Sequence, residues 1–98
     1  MTETVDDLNI AYFECGVEMI KQLDKEILSK GAWATIIYRY QDWDAKNNQY
    51  SNDKFTVRRY QKRNGVYSQK SKFNISSTMQ AEKISQVLKR WTTENNQE

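Results

Sequence analysis

The 98-residue chain contains no histidine and a single cysteine, Cys15. Without imidazole there is no general base of the commonest kind and no Ser–His pair. One thiol excludes an intrachain disulfide, and without histidine a zinc site lacks its usual ligands. With no imidazole to activate it, Cys15 reads as a small apolar residue. The three glycines, Gly16, Gly31 and Gly65, stand apart, which excludes a glycine-rich phosphate loop. No apolar run is long enough to cross a membrane, and the start has no secretory pattern. A cytoplasmic protein without membrane contact is expected, with the nucleoid as an alternative place within it. Apolar residues are scarce as well, at 38% with a mean hydropathy of −0.94. A chain of this size buries roughly two-thirds of its unfolded surface, and a second copy would extend the core, so a homodimer is expected.

Charge is unevenly spread. The net charge is +2, from 15 bases and 13 acids. Six of the acids, Glu3, Asp6, Asp7, Glu14, Glu94 and Glu98, sit at the two ends, and without them the body is +8. Residues 1–15 read as a flexible acidic lead and 93–98 as a flexible tail. A tail of opposite sign is also able to shade a basic surface. Residues 54–72 hold seven bases and no acid: Lys54, Arg58, Arg59, Lys62, Arg63, Lys70 and Lys72. Phe55, Tyr60 and Tyr67 are threaded among them. Bases attract phosphates and rings offer stacking faces. A plain solvated basic face has the same composition.

Residues 17–28 fit two periods. Val17, Ile20, Leu23 and Ile27 recur near helical spacing, whereas a strand would place Val17, Met19, Lys21, Leu23, Lys25 and Ile27 on one side; periodicity leans to helix. Residues 32–43 form an aromatic and β-branched strand. One face, Ala34, Ile36, Tyr38 and Tyr40, reads as core. The other, Trp33, Thr35, Ile37, Arg39, Gln41 and Trp43, reads as a wet contact face. Asp42 and Asp44 flank Trp43, and paired carboxylates can do acid–base work. Nothing else converges on them, so they read as a solvated strand end. No catalytic group is nominated, and neither an enzyme nor a cofactor or metal is expected.

After a polar loop, residues 54–62 form the next strand. Phe55 and Val57 point to the core, and Lys54, Thr56, Arg58, Tyr60 and Lys62 point away. Asn64-Gly65 signals a hairpin. A plain two-residue turn would bury Lys72 and expose Phe73. A one-residue slip exchanges the faces, and a three-residue loop or a bulge supplies it. The predicted register pairs Phe55 with Phe73, Arg58 with Lys70 and Thr56 with Lys72. It gathers Lys54, Arg58, Lys62, Lys70 and Lys72 on one surface with Tyr60, and sends Arg59 and Arg63 to the other. Like charges facing across strands destabilise a sheet, and an anionic partner relieves that.

Ser77-Thr78-Met79-Gln80 has a capping-box pattern. The helix after it is expected to end near Thr92, with Lys89 and Arg90 in its last turn. Its stripe of Ile84, Val87, Leu88 and Trp91 is read as packing on the sheet, with Trp91 available to a dimer seam.

Residues 17–92 resemble the bacterial YdbC-type relatives of the transcriptional coactivator positive cofactor four. The likeness lies in Lys30-Gly31 before an aromatic strand, Lys54-Phe-Thr-Val-Arg-Arg-Tyr60, and Lys72-Phe-Asn-Ile-Ser-Ser77 leading into the helix. The resemblance implies an α+β fold, with a four-stranded antiparallel curved sheet followed by a C-terminal helix, assembled as a homodimer. It makes residues 17–28 the first strand. It also implies binding of single-stranded DNA with little sequence preference, in transcription, replication or repair, with residues 16–92 as the binding domain. Lys54, Arg58 and Tyr60 match family contact positions, Lys30 sits at the basic turn, and Trp33 follows it. Face assignment adds Lys21, Lys25, Thr35, Arg39, Trp43, Thr56, Lys62, Lys70 and Lys72. The coactivator's serine-rich acidic regulatory region has no counterpart. RNA and an acidic protein partner are the alternatives to DNA.

Overall fold

The computed structural model describes residues 4–95. A 3-10 turn at Val5–Asp7 precedes strands β1 (Tyr12–Glu14), β2 (Val17–Ser29), β3 (Trp33–Asp44), β4 (Gln49–Tyr50), β5 (Lys54–Arg63) and β6 (Val66–Ile75), and helix α1 (Thr78–Asn95). The strands form one curled antiparallel sheet in the order β1-β2-β3-β5-β6, with β4 paired to β3. The fold is α+β. The four long strands and the C-terminal helix match expectation, and the short strands β1 and β4 enlarge the expected four-stranded sheet.

β2 is a strand along its whole length, which corrects the helical lean. Its register against β3 shifts between Gln22 and Asp24 and again between Ile27 and Ser29. The first shift resets the alternation, so Ile20, Gln22, Lys25 and Ile27 all lie beside even-numbered β3 residues. Ile20 and Ile27, seven positions apart and both packed against the core, then share one face, a spacing that imitates two helical turns.

The β5–β6 hairpin turns through Asn64 and Gly65, both at positive φ (53° and 79°), and pairs Arg63 with Val66. This is the two-residue turn that Asn-Gly favours. A bulge between Arg59 and Tyr60 then shifts the register, leaving Lys70 without a partner. Beyond it Phe55 pairs with Ile75, Thr56 with Asn74, Val57 with Phe73 and Arg58 with Lys72. The faces are those predicted, because a one-residue slip in either direction exchanges them. The pairings are displaced by two residues from Phe55–Phe73, Arg58–Lys70 and Thr56–Lys72, because the slip runs the other way.

The register of β5 against β3 overturns a larger expectation. Ala34 pairs with Tyr60, Ile36 with Arg58, Tyr38 with Thr56 and Tyr40 with Lys54. The core face of β3 and the basic face of β5 are therefore one face. Residues 4–10, expected as a loose lead, lie across it. Val5, Leu8 and Ile10 are buried against Ala34, Ile36, Tyr38, Tyr40, Tyr60 and Tyr67. Polar anchors hold this strap: the Tyr38 hydroxyl donates to the Leu8 carbonyl (2.8 Å), Lys25 Nζ to the Val5 carbonyl (2.7 Å), and the Ile10 N–H to Gln22 Oε1 (2.8 Å). Each buried aliphatic side chain contributes about 1.5–3 kcal/mol, so the strap is part of the core.

The opposite, open face carries Ile37, Phe55, Val57 and Ile75, and α1 stands over it. Ser77 Oγ accepts the Gln80 N–H (3.1 Å), and Gln80 Oε1 reaches back to the Ser76 N–H (3.1 Å), a capping box displaced by one residue. The helix continues to Asn95, so Lys89 and Arg90 lie a turn inside its end, and the expected tail begins later than Thr93. Residues 96–98 of that tail lie outside the described residues. α1 does not close onto the sheet: a groove of about 520 Å³ runs between them, lined by Leu28, Ile37, Phe55, Val57, Ile84 and Leu88 among others. Leu88 and Trp91 are 53% and 55% exposed, so the stripe expected to pack on the sheet is covered only in part.

Candidate nucleic-acid interface

The predicted contact residues fall on two faces rather than one. Lys25, Lys54, Thr56, Arg58, Tyr60, Lys62 and Lys72 share the strapped face, by direct register or alternation along β5. Lys21, Thr35, Arg39, Trp33 and Trp43 lie on the open face. Lys30 is in the β2–β3 turn and Lys70 at the β6 bulge.

On the strapped face, covering decides which residues meet solvent. Thr56 is fully buried and its hydroxyl donates to Asn74 Oδ1 (2.7 Å). Tyr60 is 5% exposed and its hydroxyl lies 2.8 Å from that of Tyr38, so its ring is core and offers no stacking surface. Lys25 is committed to the strap, and partial burial lowers its pKa against the opposing pull of Asp6 and Asp7. Lys54 Nζ is paired with Asp42 at 2.9 Å, and that hydrogen bond holds the ammonium above the usual lysine range.

Four cations are left on the β5–β6 side. Arg58 stands directly across from Lys72, Lys62 lies nearer the hairpin turn over the Tyr67 ring (5.4 Å), and Lys70 occupies the bulge. Among the described residues, none of the four has a carboxylate within 4.0 Å. Arg58 Nη1 donates to Gln69 Oε1 (3.2 Å), which fixes the guanidinium without neutralising it. The acid-free sequence explains this outcome: neither strand of the hairpin supplies an acid to pair across the ladder.

The open-face candidates are divided among separate tasks. Arg39 is 3.8 Å from Asp53. Trp43 packs edge-on against Tyr50 (5.0 Å), and Lys21 covers the same tyrosine ring (5.0 Å). These contacts brace the β3–β4 hairpin. Asp42 serves Lys54, while Asp44 accepts from the Asn47 side chain (2.8 Å), which lowers its pKa and caps the turn. The two carboxylates thus act on different partners. Trp33 is 42% exposed and carries the Arg59 guanidinium 4.7 Å above its ring.

Sequence reasoning missed Gln69 and Asn74, which share the basic surface, and set Arg59 aside. Only the register exposes these. The strap had a visible signal in Val5, Leu8 and Ile10 set among acids. No family model, curated protein or solved structure matches this chain.

Proposed function

We propose that the chain is a non-enzymatic binder of single-stranded DNA with little sequence preference, and that the β5–β6 hairpin is its principal contact. The observation that carries this reading is the direct cross-strand pair of Arg58 and Lys72, flanked by Lys62 and Lys70, with no acid among them. Facing like charges destabilise a sheet, and a phosphate backbone laid along the hairpin removes that repulsion while releasing counterions. The resemblance to YdbC-type proteins supports the same ligand and a role in transcription, replication or repair inside the cytoplasm. Titration of labelled oligo-dT and a duplex of equal length tests it. The single strand binds more tightly on this reading; equal or tighter duplex binding overturns it. Oligo-U RNA in the same assay separates DNA from RNA preference.

The working unit on this reading is a homodimer. The apolar groove and the exposed stripe of α1 belong to one chain, so a second copy offers both complements at once. Sedimentation at micromolar concentration gives the mass of two chains if this holds and of one if it fails. Among the described residues no helix is long and apolar enough to cross a membrane.

A further inference from the structure

We infer that Arg59 and Trp33 form a base-stacking platform on the open face, which a bound strand reaches around the turn end of the sheet. This rests on the nucleic-acid reading and extends its site to a second face. The guanidinium carbon of Arg59 lies over the indole, 4.7 Å from the ring centroid, and both side chains are exposed. Among the described residues, Arg59 has no carboxylate within 4.0 Å. Its cross-strand neighbours are Thr35 and Ser71, and Trp33 lies beside Gln61, so these strand partners are polar and uncharged. Neither residue lines the apolar groove beside α1. An indole and a guanidinium held together present the two flat surfaces that unpaired bases stack on most readily.

The route to the platform is built into the same end of the sheet. The Tyr67 hydroxyl donates to the Gly31 carbonyl (2.7 Å), and the Lys62 N–H donates to the Ala32 carbonyl (2.7 Å). These bonds pin the β2–β3 turn, with Lys30, against the β5–β6 hairpin. Lys72, Arg58 and Lys62 on the strapped face are then followed by Lys30 and Arg63 at the turn end, and by Arg59 on the far side. Cations thus stand on the strapped face, at the turn end and on the open face. Duplex DNA is too stiff to follow so tight a path, whereas a single strand bends freely.

The test uses the full chain. Trp43→Phe with Trp91→Phe leaves Trp33 as the sole indole of three. Oligo-dT is expected to quench its fluorescence, and an abasic deoxyribose-phosphate oligomer of equal length to bind without quenching. In the otherwise native chain, Arg59→Lys keeps the charge and removes the planar stack. It is expected to weaken oligo-dT binding about tenfold, within the range one stacked base contributes, with the salt slope and abasic binding unchanged. If oligo-dT binds, Trp33 is not quenched and Arg59→Lys binds as the native chain does, the pair is surface packing only and the platform is overturned while DNA binding stands. If neither oligomer binds at low salt, the nucleic-acid reading fails and takes the platform with it.

Discussion

On one face of the sheet the chain supplies its own cover, and on the other it leaves the cover unfinished. The strapped face is closed by Val5, Leu8 and Ile10 and locked by the hydroxyl of Tyr38 and the ammonium of Lys25. The open face has comparable apolar residues in Ile37, Phe55 and Val57, yet its helix stands off across a groove. The difference follows from where polar anchors exist. The strap ties backbone carbonyls to side chains rising from the sheet, which fixes its approach. Among the described residues, the polar anchors of α1 outside its own turns are those of its cap, Ser76, Ser77 and Gln80. A 98-residue chain with so few apolar residues closes one face well and leaves the other partly uncovered.

The largest expected effect comes from breaking the closed face. Leu8→Ala should destabilise the protein by about 2–5 kcal/mol, as for other buried leucines, read as a fall in the urea midpoint. A loose lead would give no change, and the distinction between the faces would collapse. On the open face, where the proposed dimer would form, Ile84→Glu should shift the sedimenting mass from two chains to one while the urea midpoint of the monomer moves little. A variant that stays dimeric shows that the groove is not the seam.

A smaller change tests the polar lock. Tyr38→Phe removes a hydroxyl that bonds both the Leu8 carbonyl and Tyr60, and should cost about 1–2 kcal/mol. It should also alter the alkaline behaviour. Burial, then the hydrogen bond to Tyr60, raises the Tyr38 pKa far above its ordinary value, and burial raises that of Tyr40 too. A phenol whose pKa is raised on folding stays protonated while the unfolded chain ionises. Stability is therefore full below pH of about 10, the ordinary tyrosine value, and falls as pH climbs past it. Tyr38→Phe should shallow that decline, measured as urea midpoints between pH 8 and 11.

How much of this was legible follows from which signals are local. The Asn64-Gly65 turn, the aromatic strand of β3, the Ser77 cap and the need for a slip in the hairpin are written in short stretches. The direction of that slip was not, because either direction puts Phe73 on the face of Phe55 and Val57 and Lys72 on the face of Thr56 and Arg58. Nor was the parity of β3 against β5. Nine residues separate them, Ala45 to Asp53, with the small strand β4 among them, and a loop of that length permits either parity. Reading β3 and β5 separately therefore placed Tyr38 in the core and Tyr60 at the surface, although their hydroxyls are bonded. β2 was ambiguous because its bulge near Leu23 turns a strand's alternation into a helix-like seven-residue spacing.

The smallest effect separates two lysines that sequence treats alike. Lys54 and Lys72 both belong to the acid-free stretch and both lie on the strapped face. Lys54 already has Asp42 at 2.9 Å, whereas among the described residues Lys72 has Arg58 across from it and no carboxylate within 4.0 Å. A lysine paired within the protein releases few counterions when a phosphate arrives, because its charge is largely balanced beforehand. Lys72→Ala should accordingly lower the slope of log Kd against log salt by about one. Lys54→Ala should leave the slope almost unchanged and weaken binding only slightly. Equal losses from the two would mean that Asp42 releases Lys54 when DNA binds, and that the contact surface extends from the hairpin across β5 to the edge of the strap.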